Sequence, residues 1–109
     1  MGLDQHVTVK ETGKELFYWR KHPNMHGFIE KLWRERTGNE EDAFMHEYDL
    51  TEADINMIEM VVNMDLLPKT QGFFFGESTP ERKTEDLEFI KLAREELAKG
   101  NHIYYDSSW

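Results

Sequence analysis

The stretch YWRKHPNMHGF, Tyr18 to Phe28, decides how the N-terminal part of the chain is laid out. It crowds Tyr18, Trp19, Phe28, His22, His26, Arg20, Lys21, Asn24, Pro23 and Gly27 into a short span, which suits either a working site or a tight junction between two elements. Pro23 sets its shape. Proline lacks a backbone N–H, is tolerated in the first turn of a helix, and drives the preceding residue toward extended backbone. Tyr18 to Arg20 therefore close the aromatic-rich segment ELFYWR (15–20), which reads as a strand, with Lys21 at its end. His22 falls before the helix, and Asn24 is the expected N-cap. Beyond it Met25, Phe28, Ile29, Leu32 and Trp33 recur on one helical face, and Gly38 closes the helix as a C′ residue.

Working outward, residues 1–13 read as an N-terminal arm, with at most a short strand at His6–Lys10. GNEED (38–42) is an exposed turn. AFMHEYDL (43–50) alternates, with Phe44, His46, Tyr48 and Leu50 on one face of a second strand. Thr51 and Asp54 form an approximate capping box for the next helix, and Leu50 and Ile55 have the spacing of a hydrophobic staple. Ile55, Ile58, Val61, Val62 and Leu66 make that helix's buried stripe. Met57, Met60 and Met64 widen it as core filler, and Pro68 stops it. GFFFG (72–76) is a short strand or an aromatic-held loop. Thr79-Pro80, or Ser78 with Glu81, opens a third helix that turns Leu87, Ile90, Ala93 and Leu97 inward and ends at Gly100. HIYYDSSW (102–109) is a final strand, with Ile103, Tyr105, Ser107 and Trp109 on one face. The expected fold is α+β: a small, mostly antiparallel sheet of three to four strands packed with three helices, in one domain over 14–109.

The 109 residues can bury roughly two thirds of their unfolded surface, enough for one core. The net charge of −9 argues against general nucleic-acid binding, which needs clustered cations. That charge is uneven. Lys10 to Arg36 holds seven Lys or Arg and four Glu, a local +3, so the remainder sums to −12. The region that can attract an anion thus includes Tyr18 to Phe28. There is no cysteine, which removes disulfides, thiolate nucleophiles and Cys-based zinc sites. MGLDQHVTVK lacks the basic-then-apolar pattern of a signal peptide, and no apolar run reaches membrane-spanning length, so cytoplasmic residence is the expectation.

Chemistry has few candidate seats. His22, His26 and Glu30 are spaced four apart, as metal ligands on a helix face would be, but Pro23 separates His22 from that helix. No metal or cofactor is therefore expected. Arg20 and Lys21 beside a helix N-terminus suit a phosphate or carboxylate, against the plainer reading that they pair with surface carboxylates. GFFFGEST lacks the Gly-Lys-Ser/Thr ending of a Walker loop. A Ser-His-Asp set from Ser107 or Ser108 with Asp106 and His46 or His26 has no nucleophile elbow to support it. His46 reads as a core histidine. The pairs Glu85-Asp86 and Glu95-Glu96 read as solvated helix surface.

Three segments together resemble a family of small proteins encoded by bacteriophages and by bacterial genomes carrying prophages. Tyr18, Trp19, Arg20, Lys21, Asn24, His26 and Phe28 match its first element. Gly72 to Gly76 with Ser78 match the second, and Tyr104, Tyr105, Ser107, Ser108 and Trp109 the third. His22-Pro23 departs from that pattern, and Glu77 is an extra residue before the serine. The resemblance implies an accessory role in the cytoplasm of a bacterial host. The resemblance places candidate positions and no activity; the expected function, read from the residues, is a non-enzymatic binding module for a small anionic ligand or a host factor, in a pocket where the three segments meet. Arg20 and Lys21 would supply charge, and Asn24, His26, Ser78 and Ser107 hydrogen bonds. Tyr105 and Trp109 would form a stacking wall. The alternative is an acidic protein–protein interaction or host-takeover factor, monomeric or a homodimer. No general nucleic-acid or membrane partner is expected.

Overall fold

The computed structural model describes residues 3–38, 47–68 and 81–108. Their element order is β1 (Asp4–Val9), β2 (Glu15–Arg20), α1 (Pro23–Thr37), β3 (Tyr48–Leu50), α2 (Glu52–Asn63), α3 (Arg82–Ala98) and β4 (Ile103–Ser108). The strands form one sheet in the order β2-β1-β4-β3, and each neighbouring pair is antiparallel. The fold is α+β, as the pattern of elements predicts. Among the described residues no helix is long and apolar enough to cross a membrane.

The N-terminal arm is the main correction. Asp4–Val9 is an inner strand, paired with β2 on one side and β4 on the other. Its alternation was muted because Gln5, a polar residue, takes an inward position with Val7 and Val9. A bulge between Val7 and Thr8 shifts the β1–β2 register, so Thr8 lies opposite Glu15. The inner face of the sheet then runs in rows. Trp19, Gln5 and Ser107 lie side by side, as do Val7, Tyr105 and Tyr48, and then Val9, Ile103 and Leu50.

Helix α1 begins at Pro23, with His22 as its N-cap and Asn24 inside the first turn. A proline fits the first helical position because the N–H it lacks would have no intrahelical partner there. This moves the cap one residue upstream of Pro23. Met25, Phe28, Ile29, Leu32 and Trp33 are buried as expected, and Gly38 takes the left-handed C-cap conformation at φ 71°.

Helix α2 is capped as its sequence predicts. Asp54 N–H donates to Thr51 Oγ1 at 3.2 Å, and Thr51 N–H donates to Asp54 Oδ2 at 2.9 Å. The Asp54 carboxylate also pairs with Arg36 of α1, so a local cap doubles as a tie between helices. Ile55, Ile58, Val61 and Val62 are buried, but Met57, Met60, Met64 and Leu66 are exposed. The helix ends at Asn63, before Leu66, and its buried stripe is too narrow to include the methionines. In α3 the inward face carries Asp86, Phe89, Ile90 and Ala93, while Leu87 is exposed and Leu97 packs at the margin of the core. The expectations for Phe44, His46, GFFFG, Ser78, Thr79-Pro80 and Trp109 lie outside the described residues.

Candidate functional site

The β2–α1 corner has an outer and an inner half. Outside, Tyr18, Arg20, Lys21, Arg82 and Glu85 line an open cleft of about 420 Å3. Alternation along β2 aims Tyr18 and Arg20 away from the core, whereas Trp19 between them is buried. Lys21 sits at φ 56°, the left-handed region that side-chain-bearing residues seldom occupy, and this reverses the chain from strand to helix. Arg82 is the brace of the corner. One guanidinium nitrogen donates to the carbonyls of Arg20 and, at 3.3 Å, Lys21, and the other to Glu85 Oε2 at 2.8 Å. The side chains of Arg20 and Lys21 make no hydrogen bond or ion pair among the described residues. Tyr18 donates its hydroxyl to Asp4 Oδ1 at 2.6 Å, and this bond holds the phenol proton on and raises its pKa.

Inside lies a polar cluster under the same corner. Trp19 Nε1–H donates to Asp86 Oδ1 at 3.1 Å, and His22 Nε2 stands 3.0 Å from both Asp86 oxygens. The Gln5 amide binds the backbone of His22 as another strand would: Nε2 donates to the carbonyl at 3.1 Å, and His22 N–H donates to Oε1 at 2.9 Å. Burial pushes the Tyr105 phenol far up, so it keeps its proton, and its hydroxyl is hydrogen-bonded to His26 Nδ1 at 2.7 Å. On the other side of that ring, Glu30 Oε2 lies 3.4 Å from Nε2, and Glu30 Oε1 accepts from Arg34 at 2.7 Å. Ser107 Oγ is buried beside Tyr105 without a well-aligned hydrogen bond among the described residues.

Among the described residues, the six expected site residues that are placed do not all line the same cleft. Arg20 and Lys21 line the cleft. Asn24 is half-buried in the first turn of α1 and does not line it. His26, Tyr105 and Ser107 belong to the buried cluster. Ser78 and Trp109 lie outside the described residues. Asp106 stands opposite His6 on the other face of the sheet from Ser107, so those two cannot join in a Ser-His-Asp set. His22 and His26 turn to different partners, which dissolves the metal spacing seen in the sequence.

Two residues that bear on the cleft are missed as such by the sequence, Arg82 and Asp86. In sequence the Glu85-Asp86 pair reads as solvated helix surface, yet Asp86 is 1 % exposed. Helical period could have found it, since it precedes Phe89 and Ile90 by three and four positions and shares their face. A second opening of about 240 Å3, lined by Glu52, Arg94, Leu97 and Ala98, offers one cation, and Arg94 is already paired with Glu59 at 2.7 Å. No protein-family model, curated protein or solved structure matches this chain.

Proposed function

We propose that the chain is a small, non-enzymatic binding module that holds a phosphate- or carboxylate-bearing ligand in the cleft at the β2–α1 corner. The observation that carries this reading is the meeting of Arg20, Lys21 and Arg82 around one opening in a protein of net charge −9. Arg82 is engaged in bracing the corner, which leaves Arg20 and Lys21 to meet the anion. Arginine supplies a planar fork for two oxygens and lysine a point charge. Tyr18 offers an aromatic flank to whatever carries the anion. With the resemblance to phage and prophage proteins, this makes the chain an accessory factor of the bacterial cytoplasm.

The test is thermal unfolding with inorganic phosphate, nucleoside monophosphates and dicarboxylates. A ligand tenfold above its Kd stabilises by about 1.4 kcal/mol, or roughly 5 °C for a domain of this size. The expected result is such a shift in wild type and its loss in Arg20→Ala. No shift with any of these anions would end the reading.

A second reading rests on the exposed acidic residues of α2 and α3, among them Glu52, Glu88 and Glu95. They suit a basic protein partner, with a homodimer as the other assembly to look for. That complex would weaken with added salt and be indifferent to Arg20→Ala.

A further inference from the structure

Four consecutive residues leave β2 with alternate fates. Trp19 and His22 turn inward and are each 1 % exposed, while Arg20 and Lys21 between them line the cleft. Helix α3 mirrors this. Arg82 and Glu85 line the cleft, and Asp86, the next residue, turns inward. The three inward groups meet, with Asp86 accepting from the Trp19 indole at 3.1 Å and lying 3.0 Å from His22 Nε2 through both its oxygens. The two walls of the cleft are thus fastened from behind by a buried clasp, one residue removed from each wall. In front, Arg82 holds the carbonyls of Arg20 and Lys21.

Such a clasp governs the width of the cleft. The left-handed backbone at Lys21 is strained in a residue with a side chain, and it persists only where both flanks are fixed. His22 is fixed by Gln5 through its backbone and by Asp86 through its ring. Freeing the ring would let Lys21 relax and carry Arg20 away from Arg82.

We infer that Asp86 is the positioning residue of the anion site, setting the distance between the Arg20–Lys21 wall and the Arg82 wall. This rests on the reading of the cleft as an anion site. Anion binding and clasp closure then support each other, and the coupling is reciprocal. Occupation of the cleft should be felt at the Trp19 indole, which does not line it.

The sign of the mutational effect separates this from simple electrostatics. Asp86→Asn removes a negative charge close behind an anion site, so Coulomb's law alone predicts tighter binding. The clasp predicts weaker binding, because the amide NH2 that replaces Oδ2 cannot accept from His22 Nε2, and the oxygen left to hold both His22 and Trp19 carries no charge.

The experiment titrates inorganic phosphate into wild type and Asp86→Asn, following affinity by calorimetry and the Trp19 indole N–H resonance by NMR. That resonance is assigned with Trp19→Phe. The expected result is a phosphate-dependent shift of the Trp19 resonance in wild type, with affinity at least tenfold lower in folded Asp86→Asn. Phosphate binding by wild type with equal or higher affinity in Asp86→Asn overturns the clasp while the anion site stands. Absence of phosphate binding by wild type overturns both. If Asp86→Asn does not fold, Trp19→Phe replaces it, keeping an aromatic side chain, though a smaller one, and losing one donor. A threefold loss of affinity is then expected, and an unchanged affinity overturns the proposal.

Discussion

At one end of the sheet's inner face Val9, Ile103 and Leu50 stand side by side; at the other, Trp19, Gln5 and Ser107 do. Both rows are equally hidden from solvent. The apolar row needs only to be covered, and each side chain contributes roughly 1.5–3 kcal/mol by leaving water, in any orientation that packs. The polar row contributes little on balance, but its groups accept few orientations. Gln5 fits one way against the backbone of His22, and Asp86 fits one way between Trp19 and His22. The apolar end stabilises the sheet. The polar end fixes how the chain turns out of it, and so where Arg20 and Lys21 point.

That contrast can be broken by mutation. The largest effect is expected from Asp86→Ala, which strands the Trp19 and His22 donors in the core at a cost of about 4 kcal/mol in chemical denaturation. Ile103→Ala removes buried methyl groups from the apolar row and should cost about 3 kcal/mol. A greater loss at Ile103 than at Asp86 would mean that the polar cluster is incidental packing.

The smallest effect sharpens the comparison at the rim beyond the apolar row. There Glu11 accepts from the His102 backbone N–H at 2.7 Å and contacts its ring at 2.6 Å. These bonds, the backbone one first, hold the Glu11 carboxyl down to about 2 from the ordinary 4.5. The folded value is depressed, so the stabilisation is fully present above about pH 4.5 and lost as pH falls through about 2. Wild type should exceed Glu11→Gln slightly in stability at neutral pH, and the gap should close between pH 4.5 and 2 in thermal scans. An unchanged gap across that range would remove Glu11 from the account.

Most of the fold was legible because its signals are local. Aromatic density marked β2, helical spacing marked the buried face of α1, and Thr51 with Asp54 marked the start of α2. What stayed hidden depended on distant partners. Gln5 reads as surface until His22 is beside it, and Asp86 reads as half of an acidic pair until Trp19 and His22 reach it. Periodicity also gives the centre of a buried stripe but not its width, hence the exposed Met57 and Met60. For the cleft, Arg20 and Lys21 were visible as a charged corner, whereas Arg82 joins them only through tertiary packing of α3.

The place of β1 in the sheet has a consequence for how the protein is made. Asp4 pairs with Ser108 and Val9 with Ile103, so the first described strand waits for the last. Until β4 leaves the ribosome, β1 and β2 are a hairpin whose β1 edge lacks its partner, and β3 has no neighbour among the described strands. Such long-range pairing is slow to close, and the bare edge is a template for other chains. The nascent chain is therefore most aggregation-prone in the interval before β4 emerges, and the sheet closes only once it has.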